Sequence, residues 1–148
     1  MRPQSIIRFE QIFFAAIAVS LLNTLMSFGA TEAQLANDPS SAQLGLGSGF
    51  LIATLAFSIG IMLLLWFFIA RRASNVAKWI LVAITGLGLA MMLGTISALS
   101  AAPPLTLLLT VVNTGLQIAG LAFLFKRDAV EWLTTKGQGG ATDPSIFD

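Results

Sequence analysis

The chain has 148 residues, 56% of them hydrophobic and only 10% charged, with a net charge of +1. A soluble domain carries roughly 25% charged residues to keep its surface in water, so lipid is the expected solvent here. The small net charge excludes a broad basic field for nucleic acid. The absence of Cys and His excludes disulfides, thiolate nucleophiles, imidazole bases and haem or zinc ligation. No enzymatic activity and no cofactor are expected.

A helix needs about 20 apolar residues to cross about 30 Å of hydrocarbon. Four such runs follow one another, at about 9–28, 50–70, 79–99 and 105–125. They predict an all-α fold, an antiparallel up-down bundle of four transmembrane helices over 1–128. The first run is diluted by Ser20, Asn23, Thr24 and Ser27, and it competes with reading the segment as a cleaved signal peptide starting at Arg2 and Arg8. Thr31 and Ala33 flank a glutamate in a poor cleavage site, so the segment is expected to be retained as a span. Beyond it, Thr31 to Asn37 predicts a short interfacial helix that stops before Asp38-Pro39.

The second and third spans are joined by the short link Arg71 to Lys78, which predicts a helical hairpin. Ser100 to Pro104 reads as a tight turn, because consecutive prolines cannot continue a helix. After the fourth span, residues 129–148 predict a short helical stretch near the headgroups and a flexible tail.

The eight basic residues are Arg2, Arg8, Arg71, Arg72, Lys78, Lys126, Arg127 and Lys136. With four spans, all of them fall on one side, while the opposite loops carry only Glu32 and Asp38. Basic residues are retained on the cytoplasmic side, so both termini are expected inside. Small bacterial inner-membrane proteins often share this plan. By that fold-level analogy a bacterial inner membrane is the expected location. The cluster Arg71, Arg72, Lys78, Lys126 and Arg127 fixes this topology and faces anionic headgroups. Trp66, Trp79 and Trp132 are expected to mark the same interface.

Two further patterns stand out. Gly86, Ala90 and Gly94 form a small-residue stripe in the third span, and Gly115 and Ala119 repeat the spacing in the fourth. Small residues let helices approach closely in lipid, so these are expected to pack inside the chain or, alternatively, against a second copy or another membrane subunit. Asn23 with Ser27 and Asn113 with Gln117 are i, i+4 pairs at similar depth, which predicts that the first and fourth spans are neighbours linked by amide hydrogen bonds. Glu10 lies two residues from Arg8 at headgroup level, at the very edge of the first span, and beyond it none of the four spans contains an acid. That argues against proton-coupled transport.

These observations favour a non-enzymatic accessory or structural subunit. It would work by helix–helix contact with itself or a larger membrane complex, with lipid and membrane proteins as partners and no nucleic acid. The competing expectation is a small oligomeric transporter or channel for a neutral or amphipathic solute, its route lined by Asn23, Asn113 and Gln117.

Overall fold

The structure, a computed structural model, describes residues 2–94 and 103–136. Six helices account for nearly all of it, with no strand among the described residues: α1 (Gln4–Asn37), α2 (Pro39–Gln43), α3 (Ser48–Ala70), α4 (Asn75–Gly94), α5 (Pro104–Leu124) and α6 (Arg127–Thr134). Of these, α1, α3, α4 and α5 are long and apolar enough to cross a membrane. The residues expected to end the third span (95–99), most of the turn at 100–104 and the tail beyond Lys136 lie outside the described residues.

Helix ends follow local chemistry. Pro104 occupies the first position of α5, where its missing N–H is no loss and its fixed φ suits the helix. Ser74 opens α4, its Oγ accepting from the Ala77 N–H at 3.2 Å. Ahead of it, Ala73 turns the chain with φ of 48°, which allows the Ser74 N–H to close back on the Phe68 carbonyl at 3.0 Å.

The first span departs most from expectation. The helix expected over Thr31 to Asn37 is not separate, because α1 runs unbroken for 34 residues. Between Phe28 and Asn37 only Gly29 disfavours helix, and Ala, Glu, Gln and Leu are strong formers. The Thr31 hydroxyl also folds back onto the Ser27 carbonyl at 3.0 Å, leaving the backbone course intact. Termination comes at Asp38-Pro39 as expected. Asp38 then caps α2, its carboxylate accepting from the hydroxyls and N–H groups of Ser40 and Ser41. The Ser41 and Ser40 hydroxyls hold the Asp38 carboxyl below its usual value.

Packing is uneven along the bundle. α1 lies mainly against α5, α3 bridges α1 and α4, and α4 touches α5 at few points. Buried positions concentrate near the start of α1 (Ile6, Phe9, Phe13), the end of α3 (Leu65, Ile69), the start of α4 (Ala77, Leu81) and the last turns of α5 (Gly120, Leu124). The core therefore gathers at one pole, the one that carries the basic residues. α6 folds back there and buries Ala129, Trp132 and Leu133 in the same core. Trp132 is thus a core residue, not an interfacial marker.

Candidate functional site at the basic pole

Starting from the charges, Glu10 binds Arg2 at 2.9 Å and reaches Arg71 at 3.9 Å. Arg71 also stacks over the Trp66 ring, 5.6 Å from its centroid. These contacts tie the start of α1 to the end of α3. Asp128, in the first turn of α6, accepts the Ser5 N–H at 3.3 Å and ties the start of α1 to α6. The Ser5 hydroxyl facing the carboxylate, together with that N–H, holds the Asp128 carboxyl below its usual value. A carboxyl whose folded value is depressed adds stability above its unfolded value and loses it as pH falls through the folded one. Docking of α6 is accordingly expected to weaken below about pH 4. Hydrogen exchange across residues 127–134 should speed up there, and Asp128→Asn should flatten that pH dependence.

The five residues expected to face headgroups behave differently from one another. Arg72 and Arg127 are exposed and make no ion pair among the described residues, whereas Arg71 is committed to Glu10. Lys126 places its Nζ 4.6 Å from the Phe123 ring centroid. Lys78 is the exception to an exposed cluster, with a relative exposure of only 5%. Its Nζ lies 4.8 Å from the Phe125 ring centroid and 5.4 Å from that of Trp79, and those two rings meet edge to face at 5.9 Å.

Above this pole, α1, α3, α4 and α5 enclose a cavity of about 250 Å³. Phe9, Phe13 and Leu81 line it together with Thr85, Gly88 and Gln117. The wall is mainly apolar, with Ser20, Thr85 and Gln117 as its hydroxyl and amide groups. Gln117 therefore faces the interior. The cavity has no counterpart in the sequence reading.

The intramembrane amides sit near the α1–α5 seam. Asn23 Nδ2 donates to Thr110 Oγ1 at 3.3 Å, and Thr110 in turn donates to the Thr106 carbonyl at 2.8 Å. The Ser27 hydroxyl folds onto the Asn23 carbonyl of its own helix. The Asn23 bond goes to Thr110, one turn from Asn113 on α5, and the Oδ1 atoms of Asn23 and Asn113 are buried without partners. Leucine at Asn113 removes one orphan acceptor. It is expected to hold or raise stability by about 1 kcal/mol, while Asn23→Leu costs about 0.6 kcal/mol. Unfolding in detergent compares the two.

The small-residue stripes divide. Gly86, Ala90 and Gly94 are exposed, and a Cβ placed at either glycine meets nothing within 4 Å. They occupy the side of α4 opposite Leu81 and Thr85, away from the other described helices. Gly115 is likewise exposed and open, and Ala119 is half-buried. Close approach uses Gly120 instead, where a Cβ would lie 3.6 Å from Ile12 and 3.8 Å from Phe9. Gly120 continues the row Asn113, Gln117, Gly120, Leu124 at helical spacing, a pattern that was open to view in the sequence. Comparison of the chain with family models, with curated proteins and with solved structures finds no match in any of the three.

Proposed function

We propose that this is a non-enzymatic multi-pass protein of a bacterial inner membrane, with both termini cytoplasmic. In this reading it serves as an accessory or structural subunit, holding a second copy of itself or a larger membrane complex by helix–helix contact. One observation carries the reading: Gly86, Ala90 and Gly94 form an exposed small-residue stripe on the outward side of α4, and among the described residues nothing lies within 4 Å of a Cβ placed at either glycine. Helices in lipid associate by close backbone approach at such positions. Gathering of the basic residues at one pole supports the orientation.

Because the chain contains no Cys, a single introduced thiol reports contacts cleanly. Ala90→Cys is expected to crosslink to a copy or to another membrane protein in native membranes. Phe57→Cys, on an exposed part of α3, is expected to stay uncrosslinked. Equal crosslinking at the two positions, or none at Ala90→Cys, defeats the proposal.

The cavity favours a second reading, an oligomeric transporter or channel for a neutral or amphipathic solute, since its wall carries Gln117 and Thr85 and no charged residue. Solute flux in liposomes that survives leucine at Asn23, Asn113 and Gln117 together removes it.

A further inference from the structure

We infer that Lys78 and the cavity above it form a binding site for one anionic phospholipid, with the phosphodiester at the Lys78 ammonium and an acyl chain rising between α4 and α5. The Lys78 side chain is buried along its length, its ammonium has no anionic partner among the described residues, and the two aromatic rings satisfy it only in part. None of the described acids compensates Lys78. Glu10 is held by Arg2 and Arg71, Asp128 by Ser5, and Glu32 and Asp38 lie at the other end of α1; Glu131 is exposed on α6 and forms no ion pair. The ammonium sits against Trp79 and Phe125, both about half exposed, so an anion is met at the outer edge of the α4–α5 seam.

The place of the chain follows from the same helix face. Lys78, Leu81, Thr85 and Gly88 recur every three or four residues on α4, and the last three line the cavity. The facing wall on α5 is Leu116, Gln117, Gly120 and Leu121. α4 and α5 touch at few points, which leaves the seam open to a lipid tail. A free phosphate would satisfy Lys78 alone, whereas a phospholipid fills both the charge and the apolar space.

The test uses the full-length protein in nanodiscs containing equal phosphatidylglycerol and phosphatidylcholine, with retained lipid quantified by mass spectrometry after a detergent wash. Wild type is expected to enrich phosphatidylglycerol about fivefold, corresponding to one lysine facing one anionic headgroup. Lys78→Gln should abolish the enrichment and Lys78→Arg should keep it. Gly88→Leu, at a glycine that lines the cavity and where an added Cβ meets nothing within 4 Å, should release the lipid with Lys78 intact, so the inference does not depend on Lys78→Gln folding. Arg72→Gln should leave the enrichment unchanged. Retention in Lys78→Gln, or equal loss in Arg72→Gln, overturns the site. Displacement of the lipid by excess inorganic phosphate overturns its assignment to a phospholipid.

Discussion

Replacing Trp132 by alanine is expected to cost about 3–5 kcal/mol and to release α6 from the bundle. Trp132 is 7% exposed and shares the core with Ala129 and Leu133. α6 has 8 residues, far fewer than the 12–15 or so that an isolated helix needs even to be marginal. Its helicity therefore depends on docking, and losing the indole removes most of the apolar surface that holds it. Being outside the long apolar helices, it also loses the full water-driven share of burial. Hydrogen exchange over residues 127–134 should rise to the rate of an unfolded peptide while the four long helices keep their protection. Trp132→Phe, which keeps an aromatic body, should cost less than about 1.5 kcal/mol.

Phe9→Ala is the second large effect. Phe9 is 1% exposed, lies 5.3 Å from the Phe13 ring and faces Gly120 of α5. Removing a buried phenyl ring costs about 3–5 kcal/mol in water-soluble cores, where cavity and transfer effects add. Within lipid the transfer share shrinks, because the alternative surroundings are also apolar. A loss of about 2–3 kcal/mol is expected from packing alone. Equilibrium unfolding in mixed detergent micelles measures it. Phe57→Ala, at a position 70% exposed on α3, is the comparison and should stay within about 0.5 kcal/mol of wild type. Equal losses at both positions would mean that the core does not lie where the buried residues place it.

The four apolar runs were legible because length and hydropathy alone distinguish a bilayer-crossing helix, and α3 begins and ends within two residues of its expected bounds. The adjacency of α1 and α5 was also legible, since Asn23 and Asn113 are conspicuous amides in apolar runs. What stayed hidden was the direction each residue faces. In a helix that is apolar all round, hydrophobic periodicity does not separate the interior side from the lipid side. The stripe at Gly86, Ala90 and Gly94 thus reads first as internal packing, though it points outward. The close contact falls at Gly120 and not at Gly115, whose spacing to Ala119 matches the small-residue pattern equally. Lys78 read as one more surface cation because a charge beside a span normally reaches water. Its ammonium is flanked by Phe125 from the end of α5 as well as by the neighbouring Trp79, a tertiary contact with no local mark.

The length of α1 has a consequence for what the opposite compartment meets. Thirty-four helical residues extend about 51 Å, against about 30 Å of hydrocarbon. Its partner α5 has 21 residues, so the surplus has no equally long companion along which to lean. The bilayer with its headgroups is about 40–45 Å thick, so up to about the last seven residues of α1, with Glu32 near their start and Asp38 just past the tip, would stand clear of the headgroups as a mast. An antibody, a protease or a ligand on that side of the membrane would find that mast projecting from the bilayer, with α2 at its tip.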